Sequence, residues 1–188
     1  MIIYFIRHGE TEWNKKGITQ GHKDSPLTLK GKTTARKQAE LLSGKVIEVI
    51  YTSDLGRCVQ TAEIINKKIV GAKIIKTEKL RERNFGILNG KPAKIVKEKL
   101  DFSNMKQKAP GGESIGQIRN RVFDFIESLK EKREQTILLV AHEGVIRIIL
   151  ADYYKVNYND KKCDSKDEWV YELEAPETDF KITSLKII

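Results

Sequence analysis

The sequence predicts an α/β protein built on a mostly parallel central sheet. Three observations carry that expectation. Apolar runs of strand length alternate with longer stretches whose apolar residues recur at helical spacing. Ile137, Leu138, Leu139, Val140 and Ala141 form an unbroken apolar run, the mark of a strand buried on both faces. The 188 residues suffice for one domain with a sizeable core and are too few for two comfortable ones.

In chain order, Ile2 to Ile6 form a first strand, and Gly9 marks the turn that ends it. A polar, glycine-containing loop follows as far as Pro26. Thr28 suits the N-cap of a helix reaching Leu42, with Gly44 as its stop signal. Residues 46–51 read as a second strand. Ser53 or Asp54 then caps a helix carrying Leu55, Val59, Ala62, Ile65 and Ile69 at helical spacing. Residues 73–76 make a third, shorter strand. The segment around 83–112 holds Pro92, Pro110 and several glycines. It reads as a partly helical, lid-like insertion across the top of the sheet, within one domain spanning 1–188. Ile115, Ile118, Val122, Phe125, Ile126 and Leu129 form one stripe of a long helix. The apolar strand at 137–141 is expected at the centre of the sheet. A helix built from Val145, Ile146, Ile148, Ile149 and Leu150 follows. Residues 169–173 and 182–188 read as closing strands, expected to run antiparallel.

Composition narrows the class. No segment has the apolar length needed to cross a bilayer, and the N-terminus opens on a strand without a basic leader. The expectation is a cytoplasmic protein without membrane association. Cys58 and Cys163 lack metal-type spacing and read as free thiols of a reducing compartment. The net charge of +9 favours anionic partners, but the lysines are dispersed and aromatics are few. That pattern argues for a solvated lysine-rich surface and against nucleic acid as the partner. The oligomeric state is not legible.

The chemistry collects at strand ends. The first strand ends in Arg7 and His8, Arg57 follows the second, Glu82 follows the third, and the central strand ends in His142. In an open α/β sheet that edge is where ligands bind. Neighbouring strands lie about 4.8 Å apart, so pairing of the first and central strands would bring His8 and His142 into contact range. The third histidine, His22, reads as a solvated loop residue. Two arginine forks around two histidines suit a tetrahedral dianion, and helix N-termini after Ser53 and His142 would add backbone N–H groups. The set supports phosphoryl transfer through a phosphohistidine, with Glu82 as acid and then base. Zinc is the competing assignment, opposed by the adjacent arginines and by the absence of ligand spacing. Neither a nucleotide-type phosphate loop nor a G-x-S-x-G elbow occurs.

These residues fall in recognisable blocks. Arg7-His8-Gly9-Glu10-Thr11-Glu12-Trp13-Asn14 with Gln20-Gly21 resembles the histidine phosphatase superfamily, also called phosphoglycerate mutase-like. The resemblance continues through residues 24–31, 52–62, 80–86, 110–114 and 141–144, in family order. It implies a three-layer α/β/α sandwich and a phosphohistidine on His8. Arg7, Arg57 and His142 would form the phosphate pocket, Glu82 the proton donor, and Asn14, Gln20 and Gly21 neighbours of the phosphoryl group. No metal or organic cofactor is implied, and the substrate would be a small phosphate ester.

Some positions depart from the family pattern. Glu143 stands where many relatives have glycine, and would oppose phosphate unless it points away or pairs with a cation. Ile18 stands where many carry arginine. The 83–112 segment lacks the adjacent arginine pair of the mutases, and the chain is shorter than a typical mutase, both of which favour hydrolysis. The block from Leu80 to Gly90 nevertheless resembles the mutase version, so phosphoglycerate mutase stays as an alternative. A non-catalytic module binding phosphoprotein or nucleic acid is the other. Lys91, Lys94, Lys97 and Lys99 read either as solvated lysines or as a lid attracting a second anionic group.

Overall fold

The strand-length runs assemble into one sheet. The computed structural model describes residues 1–69, 71–132, 136–174 and 184–188. Its strands are β1 (Ile2–Arg7), β2 (Val49–Ser53), β3 (Lys73–Thr77), β4 (Thr136–Ala141), β5 (Val170–Glu174) and β6 (Ser184–Ile187). Its α-helices are α1 (Glu12–Lys15), α2 (Leu29–Leu41), α3 (Gly56–Asn66), α4 (Ala93–Lys99), α5 (Ile115–Ser128) and α6 (Glu143–Tyr154). The sheet order is β3-β2-β4-β1-β5-β6. β3, β2, β4 and β1 are parallel, and β5 and β6 close the sheet antiparallel. The expected strand over 182–188 is present from Ser184, and its first two residues lie outside the described ones.

Side chains alternate across the sheet and are buried on both faces. Ile3, Phe5, Val49, Tyr51, Ile137 and Leu139 pack with Ile118, Val122 and Ile126 of α5 and with α6. Tyr4, Ile6, Ile50, Leu138 and Val140 pack with α2 and α3 through Ala39, Cys58, Ala62 and Ile65. Two helical layers therefore cover the sheet, which explains the unbroken apolar strands. β4 lies between β1 and β2, as its composition predicts. Among the described residues no helix is long and apolar enough to cross a membrane.

Two local expectations are corrected. The second strand begins at Val49 rather than Val46, whose side chain is left exposed. Neither Ser53 nor Asp54 caps α3; Leu55 holds that position without a side-chain cap. Ser53 Oγ is instead 3.0 Å from His142 Nε2, and Asp54 accepts from Arg81. Asp24, from the distant loop, accepts from the first-turn N–H of Arg57 and supplies the missing negative partner.

The segment after Arg83 has a small cluster of its own, in which Phe85, Leu88, Val96, Leu100 and Ala109 are buried. Its backbone hydrogen-bonds the loop at residues 17–19: Thr19 N–H donates to Lys91 O, Gly90 N–H to Thr19 O, and Ala93 N–H to Gly17 O.

Candidate active site

Because β1, β2, β3 and β4 are parallel, their carboxyl ends share one edge of the sheet. The register pairs Arg7 with Ala141, which sets the next residues, His8 and His142, side by side. Their ring centroids are 5.1 Å apart. Arg57 enters from the first turn of α3, and Glu82 follows the single 3-10 turn after β3. Arg7, His8, Arg57 and Glu82 line one cavity of about 490 Å³, as do Asn14, Gln20 and Gly21. His142 lies behind His8, fully buried.

His8 is held in one tautomer. Its Nδ1 donates to the Gly9 carbonyl at 2.8 Å, so the proton sits there. Arg57 Nε donates to His8 Nε2 at 3.2 Å, so Nε2 carries the lone pair. Burial, reinforced by Arg57 and Arg7, holds the imidazole pKa well below its ordinary value. His142 is lowered in the same way, by burial first and then by Arg57. Its Nε2 also lies 3.4 Å from the buried Cys58 Sγ, whose thiol donates to the Ala141 carbonyl.

Arg57 is 1% exposed and occupied all around. Nη2 donates to Gly21 O at 2.8 Å, and Nη1 to Lys23 O at 2.8 Å and to Asp24 at 3.0 Å. It therefore fixes the loop that carries Gln20 and Gly21 as well as facing His8. Gly21 has φ of +55°, and a Cβ there would meet Asn89 Oδ1 at 1.9 Å, so only glycine fits this turn. Gln20 donates to Thr11 Oγ1, and the Asn14 side chain accepts from Thr11 in a capping box.

Glu82 is raised above the usual carboxyl range, chiefly by burial. Its two oxygens accept from Arg83 N–H at 2.8 Å and Gly144 N–H at 3.3 Å, which partly offset that shift. Arg7 reaches Asp167 at 2.7 Å and Glu143 at 3.1 Å, while its buried Nε has no partner among the described residues. Glu143 thus meets the condition its presence imposed, because it pairs with Arg7 and, through Oε1, with Arg147.

His22 is not a solvated loop residue. It is partly buried, with Nε2 2.9 Å from the Glu82 carbonyl. Of the four lysines between 91 and 99, Lys97 alone borders the cavity, as does Ile18. Arg147, Tyr158, Asn159, Phe85 and Phe102 also line it and were not anticipated. For Arg147 a signal existed, since it lies one helical turn after Glu143. Among the described residues no His, Cys, Asp and Glu cluster has the form of a metal site.

The profile of the histidine phosphatase superfamily, branch 1, matches residues 3–187. A protein of Hydrogenobacter thermophilus named "Putative phosphoserine phosphatase 2" is 35% identical over 155 residues, 79% of this chain and 76% of its own. The "Probable phosphoglycerate mutase GpmB" of Escherichia coli K12 is 35% identical over 150 residues, 76% of this chain and 69% of its own. Among solved structures, YhfR of Bacillus stearothermophilus superposes with a TM-score of 0.83 at 28% identity, over 97% of this chain and 95% of that one. Sheet order, strand-end histidines and these likenesses agree: the chain belongs to the histidine phosphatase superfamily.

Proposed function

We propose that this protein is a metal-independent phosphomonoesterase that works through a phosphohistidine on a small phosphorylated metabolite. The observation that carries the reading is the state of His8, neutral, on the cavity wall, with Nδ1 tied to Gly9 and Nε2 left unprotonated beside Arg57. Nε2 attacks phosphorus while the P–O bond to the alcohol breaks. Glu82, whose pKa burial raises, gives its proton to the departing oxygen. Water then attacks phosphorus, Glu82 takes its proton back, the P–N bond breaks, and inorganic phosphate leaves a neutral His8. Arg7 and Arg57 balance the charge on the phosphoryl oxygens from the cavity wall, and the buried His142 backs His8. Asn14, Gln20 and Gly21 shape the wall beside it, and the 83–112 segment covers the site from above. Two arginines beside two histidines oppose a divalent cation, which supports the metal-independent form.

The test is hydrolysis of p-nitrophenyl phosphate by wild type and His8→Ala, each with and without EDTA, with radiolabelled phosphoryl trapped on the protein by alkaline quench. Wild type turns over regardless of EDTA and traps label, and His8→Ala does neither while staying folded. Activity without His8, or loss on chelation reversed by one metal, refutes the reading. Lys97 on the cavity wall favours a second reading, in which the phosphoryl group returns to a bound phosphoglycerate. Isomerisation of 3-phosphoglycerate, measured in parallel, decides between them. Salt-sensitive nucleic-acid binding without turnover would instead support the non-catalytic module.

A further inference from the structure

Tyr158 stands out among the cavity-lining residues that the phosphohistidine reading leaves without a task. It lies between α6 and the short 3-10 turn at Lys161–Cys163, far along the chain from the strand-end residues. Its hydroxyl makes no hydrogen bond to any described residue, although it faces polar company. A Cβ built on Gly144 would lie 2.2 Å from Glu82 Oε1 and 3.3 Å from Tyr158 Oη. The carboxyl and the phenol therefore border the same small volume, which is open because residue 144 has no side chain.

The position of this tyrosine is built rather than incidental. Its backbone carbonyl accepts from Arg147 Nη1 at 3.1 Å, and the Arg147 guanidinium lies 5.8 Å from its ring centroid. Arg147 is tied to Glu143, and Glu143 to Arg7. The phenol is thus registered to the same arginine that faces the phosphoryl end. Burial, with the nearby Glu82 carboxyl adding to it, pushes the phenol pKa up, so the hydroxyl keeps its proton and acts only as a neutral hydrogen-bond partner.

We propose that Tyr158 is a further catalytic residue: its hydroxyl donates a hydrogen bond to the ester oxygen that Glu82 protonates, and afterwards to the attacking water. This rests on the phosphohistidine reading. In the first step the P–O bond breaks, the proton travels from Glu82 to the departing oxygen, and Tyr158 holds that oxygen in place without losing its own proton. In the second step the oxygen of water takes the vacated position, accepts from Tyr158 and gives a proton to Glu82. An oxygen that gains negative charge as its bond breaks accepts more strongly in the transition state, so the contact accelerates the chemistry beyond its value for binding.

The experiment compares wild type, Tyr158→Phe and Tyr158→Leu on aryl phosphates of graded leaving-group acidity and on an alkyl phosphate. Phenylalanine keeps the ring and its packing and removes only the hydroxyl. The expected result is a fall of about tenfold in kcat/KM for the alkyl ester with Tyr158→Phe, shrinking as the leaving group becomes more acidic. The fraction of enzyme trapped as labelled phosphohistidine in the steady state, with p-nitrophenyl phosphate, rises in the same variant because attack by water slows. Equal activity of Tyr158→Phe and wild type on every ester overturns the proposal, and a loss confined to Tyr158→Leu shows a packing role only. A wild type without turnover, or turnover that survives His8→Ala, overturns the phosphohistidine reading instead, and this proposal falls with it.

Discussion

Replacement of Gly144 by alanine should separate chemistry from stability. The new Cβ would sit 2.2 Å from Glu82 Oε1, 3.2 Å from the carboxyl carbon and 3.3 Å from Tyr158 Oη. Carbon and oxygen do not approach that closely, so the carboxyl must retreat by at least about 1 Å to reach ordinary contact. It then loses the hydrogen bonds that aim it, from Arg83 N–H and Gly144 N–H. A catalytic group displaced by about 1 Å costs on the order of a hundredfold in rate. The fold tolerates the change better, because the obstacle is the end of a side chain and alanine in a helix gains about 0.5–1 kcal/mol over glycine. The assay is kcat/KM for an alkyl phosphate and for p-nitrophenyl phosphate, with Tm measured alongside. The expected outcome is a loss of about a hundredfold on the alkyl ester, a smaller loss on the aryl ester, which needs little acid assistance, and a Tm close to wild type. Alkyl phosphatase activity at the wild-type level in Gly144→Ala would show that the aim of Glu82 does not matter, and would remove it as the proton donor.

The pH profile has a definite sign. His8 must be neutral and its pKa is held well below 6.5, so kcat/KM should persist on the acid side of that value. Glu82 must be protonated and its pKa is raised above 4.5, so activity should decline as pH rises through that raised pKa. A steady-state pH series with an alkyl ester checks both limbs, and a profile whose acid limb centres on the ordinary histidine value would contradict the burial argument. Arg57→Lys keeps the charge but cannot span the Gly21 and Lys23 carbonyls together with His8. It should cost about 2 kcal/mol, about 1 kcal/mol per lost hydrogen bond. Hydrogen exchange should rise selectively over residues 20–25, and unchanged protection there would refute the anchoring role of Arg57.

Much of this arrangement is legible in the chain because strands buried on both faces spell out continuous apolar runs. Composition marks β4 as central but leaves its pairing with β1 as a condition; the structure meets that condition, and Arg7, His8, Glu82 and His142 then fall at the same edge by topology. What could not be read depends on distant partners. Ser53 reads as a cap, yet its hydroxyl is taken by His142 from the opposite half of the chain. His22 reads as solvated because nothing local announces the Glu82 carbonyl that holds it. Tyr158 reaches the cavity only because α6 ends and its loop folds back beneath Arg147, a path without sequence signature. Glu143 was legible as an anomaly, and the structure supplies the two arginines that make its charge acceptable.

The pairing of Arg7 with Ala141 has a consequence for how the protein comes into being. The first of the two histidines is made early in synthesis and the second late, and they meet only when β4 pairs with β1. Such a contact has high sequence separation, and forming it must overcome the loop entropy of the intervening chain. A nascent chain that stops short of β4 thus carries Arg7, His8, Arg57 and Glu82 with the edge of β1 still unpaired by its parallel neighbour. Catalytic competence is in this sense a report on completed topology, and its recovery after dilution from denaturant should track the slowest strand pairing rather than helix formation.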